Sequence, residues 1–359
     1  MNASTNFLNS PAFKLILLTG MVLQNSATVL VGRYTRSSVP ADELYVVNHL
    51  IVITEIGKLL LSFVFEYVTT NGQLVQSIQT NIIQRPFDAL KIMVPALLYL
   101  VQNSLLYVAL SNLTAPIFQV TYQGKLVTTA IVSVIMLNRK YSFHQWICLI
   151  VLSIGVAVVV LGESGNDNKS TTAGEQSLVK GLTAVTIACL SSALAGVYFE
   201  KVLKNVGNNT EKSKPVSVWM RNIQLAFFTI WTALFQGWWS AKPDESGIQK
   251  PYFHGFTTWV WILVLLQAGG GLLVAAVIKY ADNVLKGLAT GVSVCFATAV
   301  STALFGTPIG GQFSVGATLI LTSVYFFSNP MKKQSPAAAN LSPSTSTDKD
   351  ESKQMLLPK

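Results

Sequence analysis

A chain of 359 residues that is 51% hydrophobic and only 11% charged has too little charge to solvate a soluble surface, where charged residues run to about 25%. Together with a mean hydropathy of +0.48, this excludes an ordinary soluble globule and points to residence in the lipid bilayer. The net charge of +9 does not indicate nucleic-acid binding, because the basic residues flank apolar runs and form no stripe interleaved with aromatics, so no nucleic-acid partner is expected.

Residues 1–12 read as a short cytosolic tail without a basic leader, and the apolar stretch at 13–32 is longer than a signal-peptide core, so it is taken as the first span. Further runs long enough to cross ~30 Å of hydrocarbon follow at 44–66, 89–110, 114–137 and 142–161. The segment 162–177, GESGNDNKSTTAGEQS, is rich in turn formers and divides the chain. Beyond it come runs at 178–199, 216–239, 256–278, 284–305 and 311–328, and then a Pro/Ser/Thr-rich charged tail, 329–359, expected to be disordered and cytosolic. The expected fold is therefore all-α, with ten transmembrane helices in halves 13–161 and 178–328. Five being odd, two halves of the same internal order would lie in opposite orientations as an inverted repeat.

The connectors support this topology. Even-numbered ones carry Arg85 and Lys91, Arg139 and Lys140, Lys201, Lys204, Lys212 and Lys214, and Lys279 and Lys286, with Lys332 and Lys333 in the tail. Odd-numbered ones hold fewer, Arg33 and Arg36, Lys169, and Lys242 and Lys250, which places both termini in the cytosol. Of the sequons at Asn168 and Asn208, only Asn168 would then face the lumen and accept a glycan. Trp238 and Trp239 at a span end fit an interfacial belt.

Polar residues inside the spans carry the chemical information, since each costs free energy unless it faces a cavity or a partner. Gln119, Tyr122 and Lys125 recur every three positions and share one helix face, with Lys125 near the middle of the fourth span. Tyr99, Gln102 and Asn103 offer an aromatic plane beside two amides, either as a base-binding surface or as interhelical hydrogen-bond glue. Lys279, Asp282, Asn283 and Lys286 lie on one face at the junction of the eighth and ninth spans, where the lysines either line a cavity or snorkel to the interface. Glu55 and Lys58 stand one turn apart in the second span, as a self-neutralising pair or as part of a cavity. Asn222 and Gln224 follow Arg221 in the seventh. Gly269, Gly270, Gly271, Gly287 and Gly291 permit either bending or close helix packing.

Lysines converging without equal carboxylate compensation make a positive pocket suited to a phosphate ester, and amides with tyrosines suit a planar heterocycle. A nucleotide or nucleotide-sugar meets both requirements. Gly57-Lys58 and Gly124-Lys125 lack the upstream glycine of a phosphate-cradling loop, so exchange driven by gradients is expected in place of ATP hydrolysis. Cys148, Cys189 and Cys295 lie in apolar runs without metal-ligand spacing, so neither a disulfide framework nor a cofactor or metal is expected. His49, His144 and His254 are scattered, and no DxD or HExxH pattern supports a membrane enzyme.

The segments RYTR, ELY, TEIGKLL, VQNSLLYVALSNL, QVTYQGK, MLNRKYS, GVYFEKVLK, RNIQL and KYADNVLKGLATG, in this order, resemble the nucleotide-sugar transporter family that includes transporters of CMP-sialic acid, UDP-galactose and UDP-N-acetylglucosamine. The likeness covers residues 13–328 and is most specific in RNIQL and KYADNxLKG. It implies the ten-helix drug/metabolite transporter fold, a Golgi or endoplasmic-reticulum membrane, and antiport of nucleotide-sugar against nucleoside monophosphate. It further implies that Lys125 and Lys279 contact phosphate, that Tyr99, Gln102, Asn103, Gln119 and Asn222 line a nucleoside pocket, and that Lys58 points toward the sugar. Phe118, where many members have Tyr, and Gly124, where Leu is common, depart from the pattern. The GGLLVAAVIKYADNVLKGLATG segment is similar to UDP-sugar members more than to CMP-sialic acid members. Carriage of another anion on the same fold, and a partner role beside glycosyltransferases or in a homo-oligomer, remain open alternatives at this level.

Overall fold

The computed structural model describes residues 10–37, 39–40, 43–164, 177–204, 216–240, 251, 253–305 and 310–329. Most of the 1–12 tail, the 162–177 connector and the 329–359 tail, and both sequons at Asn168 and Asn208, lie outside the described residues. Among the described residues there is no strand, as lipid requires of a non-barrel chain, because only a helix satisfies its own backbone polar groups.

The long helices are α1 Pro11–Ser37, α2 Val47–Thr69, α3 Met93–Asn112, α4 in two pieces (Ala115–Tyr122 and Gly124–Leu137), α5 Phe143–Ser164, α6 Leu178–Lys204, α7 Val218–Ser240, α8 Thr258–Tyr280, α9 Asn283–Phe305 and α10 Gly311–Ser328. Among the described residues, seven helical stretches, with the pieces of α4 joined and Pro86–Leu90 joined to α3, are long and apolar enough to cross a membrane. Between α2 and α3 run the short turns Leu74–Ile78, Gln79–Ile83 and Pro86–Leu90.

Two departures from the expected spans have local causes. The fourth run is not one helix: Gln123 and Leu126 donate their amides only three residues back, to Val120 and Gln123, and this tighter turn separates the two pieces. Arg33 and Arg36 are not in a connector but on the last turns of α1, which extends to Ser37. Elsewhere the boundaries follow side-chain chemistry. Asn138 closes α4 in the left-handed conformation at φ 51°, which Asn tolerates better than most residues. Asp282 opens α9 by accepting the Leu285 amide at 2.6 Å, an N-cap bond.

Several of the larger helix contacts correspond when each helix is advanced by five, while others, α5 on α9 and α6 on α8 among them, have no counterpart of similar extent. α3 on α6 corresponds to α8 on α1, α4 on α6 to α9 on α1, and α2 on α8 to α7 on α3, while α2 on α7 and α5 on α10 are self-corresponding. One core gathers Leu149, Leu152, Val159, Leu288 and Ile320 from α5, α9 and α10, and another gathers Ile92, Phe199, Leu225 and Ile278 around α3, α6, α7 and α8. The α5–α10 contact is backbone-close, since a Cβ on Gly316 would stand 2.8 Å from the Gly155 carbonyl oxygen. Most of the other glycines noted in the sequence also meet side chains. A Cβ on Gly270 would meet Gln24, on Gly271 Lys58, on Gly287 Leu126 and on Gly291 Leu152.

Candidate functional site

The break in α4 leaves Lys125 in the first turn of its second piece, and Lys286 stands in the first turn of α9. These two turns meet because Gly287 has no side chain: a Cβ there would collide with Leu126 Cδ2. The ammonium groups of Lys125 and Lys286, one residue to the side of that crossing, lie within each other's electrostatic field, and Glu200 lies in the field of Lys286. Lys125 Nζ donates to the Tyr122 hydroxyl at 3.2 Å and sits 5.3 Å from the centroid of its ring. That ring stacks on Phe118 at 5.7 Å, so the Phe at this position keeps an aromatic wall without a hydroxyl. The Tyr99 phenol, from α3, interacts electrostatically with Tyr122. One turn on, Gln102 is buried and its Oε1 has no hydrogen-bond partner.

The lysine that the fold sets beside Lys125 is thus Lys286, while Lys279 is half-buried on the last turn of α8 against the Tyr280 ring, 5.7 Å from its centroid. Asn103 is exposed and does not share the burial of Gln102, and Gln119 is half-buried one turn before Tyr122. Asn222 is buried and donates to the Val218 carbonyl oxygen at 3.0 Å within its own helix. Glu55 and Lys58 form an ion pair at 2.5 Å. The Thr229 hydroxyl of α7 also donates to Glu55, and Lys58 lies over Gly271 of α8. This pair binds three helices together and neutralises itself, whereas Lys125 hydrogen-bonds an uncharged phenol.

A charged network was missed in the sequence. Glu200, fully buried near the end of α6, pairs with Arg139 at 2.5 Å and Lys204 at 2.8 Å, and accepts the Asn283 amide at 3.0 Å. Arg139 also pairs with Asp282 at 2.7 Å. Burial pushes the Arg139 guanidinium down, but the Asp282 and Glu200 carboxylates outweigh it and hold the group above its ordinary range. Glu66, also buried, accepts from Ser77 and Ser217, and Arg221 pairs with Asp88 at 2.6 Å while donating to Gln224 at 2.9 Å. The only sequence signal for these was a Glu or Asp placed where an apolar run ends, which reads equally well as a solvated connector.

A family model described as nucleotide-sugar transporter matches residues 9–328. The chain belongs to that family. This nucleotide-sugar transporter is 41% identical to a UDP-galactose translocator of Mus musculus over 88% of this chain and 78% of that one. It is 38% identical to a UDP-N-acetylglucosamine/UDP-N-acetylgalactosamine transporter of Caenorhabditis elegans, over 92% of this chain and 97% of that one. To a UDP-N-acetylglucosamine transporter of Homo sapiens it is 39% identical, over 88% and 94%. A solved crystal structure at 12% identity superposes on the nucleotide-sugar transporter with a TM-score of 0.60, covering 89% of this chain and 97% of that one, a likeness of fold alone.

Proposed function

We propose that this nucleotide-sugar transporter carries a UDP-sugar, UDP-galactose or UDP-N-acetylglucosamine, from the cytosol into the Golgi or endoplasmic-reticulum lumen in exchange for UMP. The observation that carries the reading is the meeting of Lys125 and Lys286 where the two halves touch. Two lysines on adjoining first turns without a carboxylate between them suit an anion, and a diphosphate offers each a charge-assisted hydrogen bond. Tyr99, Tyr122 and the unpartnered Gln102 oxygen supply an aromatic wall and an acceptor for a base N–H beside it. The names of the relatives favour UDP-sugars over CMP-sialic acid, which is the alternative on the same fold.

The chain then has ten spans in two inverted halves, 13–161 and 178–328, with tails 1–12 and 329–359 in the cytosol and 162–177 in the lumen. The five-helix correspondence of packing partners supports this arrangement. With the site empty, the paired cations disfavour enclosure, and either UDP-sugar or UMP neutralises them. Reorientation is therefore faster when loaded, which couples export to import. By the family resemblance, Asn103, Gln119 and Asn222 belong to the nucleoside pocket, Lys58, paired with Glu55, points toward the sugar, and Lys279 adds a further cation on the phosphate side. Association with a glycosyltransferase or a second copy would be compatible with this role.

In proteoliposomes, preloading with UMP should accelerate uptake of a labelled UDP-sugar. Acceleration by CMP and uptake of CMP-sialic acid in its place would select the alternative, and release of free sugar from the donor would indicate an enzyme.

A further inference from the structure

The charged network around Arg139 joins the two halves at one end of the bundle. Arg139 follows α4, in the first half, and its guanidinium reaches Asp282 at the α8–α9 junction and Glu200 on α6, both in the second. Lys204, by contrast, bonds Glu200 one turn away and the Ala281 carbonyl oxygen, so its bonds stay within the second half. The packing of α4 has the same polarity. Its Gly124–Leu137 piece, which ends beside Arg139, packs on α6 and α5, as Ala115–Tyr122 does, and also contacts α9.

Resting on the exchange mechanism proposed above, we infer that Arg139, Asp282 and Glu200 form the latch that shuts the transport cavity on the Arg139 side of the membrane, and that the structure is the state with this latch closed. The ion pairs must part whenever that mouth opens. The geometry suits a reversible closure. Asp282 retains its bond to the Leu285 amide and Glu200 its bond to the Asn283 amide, so both carboxylates keep a partner after Arg139 leaves. Lys204 also remains on Glu200. Buried carboxylates stripped of every partner would make opening prohibitively costly; here only the guanidinium has to move, into water. The same residues hold the α8–α9 junction in register, and Lys286 lies one turn beyond it, so the latch also positions the cation that faces Lys125. These are positioning residues, since none of them is assigned to touch the cargo.

The test reads access to the cavity without substrate. A single cysteine at Gln119, on the far side of Lys125, is introduced after Cys148, Cys189 and Cys295 are replaced by alanine. Sealed vesicles exposing the Arg139 face are then treated with a membrane-impermeant maleimide. Labelling from that face should be slow with the latch intact and rise about tenfold or more in Arg139→Ala, because removing the cross-half pairs shifts the open population. Lys204→Ala should stay within about twofold of the parent, since its bonds do not cross the halves. If Arg139→Ala is too unstable to purify, Asp282→Asn combined with Glu200→Gln keeps the side-chain shapes and takes its place. Unchanged labelling in the latch variants, or an equal rise in Lys204→Ala, overturns the inference. Because no nucleotide is present, that result is separable from failure of the UMP counterflow that tests the transport reading.

Discussion

Replacing Lys286 with alanine is the sharpest probe of the site, because the family resemblance points to Lys125 and Lys279 as the phosphate contacts, whereas the fold brings the first turn of α9, with Lys286, against the turn that carries Lys125. Lys286 lies in the field of Lys125, whereas Lys279 lies against Tyr280 on the last turn of α8. A charge-assisted hydrogen bond to phosphate contributes about 1.5–3 kcal/mol, which at about 1.4 kcal/mol per decade is a loss of roughly 10- to 150-fold in UMP affinity. Glu200 already offsets part of the Lys286 charge, which puts Lys286→Ala toward the lower end of that range. Lys125 hydrogen-bonds only an uncharged phenol in this cluster, so Lys125→Ala falls toward the upper end. Lys279→Ala, a charge acting from a distance, should cost less than about fivefold. Equilibrium binding of labelled UMP to purified protein, at matched protein abundance, measures all three. A larger loss for Lys279→Ala than for Lys286→Ala would refute the assignment of the phosphate to the α4–α9 crossing.

Other expectations follow from packing and charge. Glu55→Gln leaves Lys58 without its 2.5 Å partner and should destabilise the protein by about 3–5 kcal/mol, whereas Glu55→Gln with Lys58→Met should recover most of that loss in a detergent melting assay. Gly316→Ala would press a Cβ to 2.8 Å from the Gly155 carbonyl oxygen and 2.6 Å from Val159 Cγ2. It should cost about 1–3 kcal/mol by forcing α5 and α10 apart, and a melting temperature equal to that of the parent would count against the close contact. Gly269→Ala meets nothing within 4 Å and should be neutral or stabilising by up to about 1 kcal/mol through helix propensity. A glycan should appear on Asn168 and not on Asn208, read as a glycosidase-sensitive shift that is lost in Asn168→Gln; the opposite result would invert the topology.

The helices were legible in the sequence because the bilayer removes alternatives. Backbone groups in hydrocarbon must bond within their own segment, so a run of apolar residues at 178–199 or 311–328 becomes a helix whatever it packs against, and the structure has Leu178–Lys204 and Gly311–Ser328. The face shared by Gln119, Tyr122 and Lys125 was legible for the same reason, since helical periodicity alone aligns residues three apart. Periodicity says nothing about which helix that face meets. It set Asn103 next to Gln102, yet one is exposed and the other buried, because a neighbour covers only part of a helix's circumference. It also put Lys279 and Lys286 on one face without saying what that face meets, and only the close crossing at Gly287 brought the turn of Lys286 against the turn of Lys125. Arg139 and Glu200 stand 61 residues apart. Each alone looks like a charge at a membrane edge, and they form a buried pair because packing brings the ends of α4 and α6 together around the α8–α9 junction. The residue pattern determined that this chain spans the bilayer with cations and tyrosines inside it, whereas helix rotation and contact, which depend on every neighbouring side chain at once, decided which of those charges would face each other.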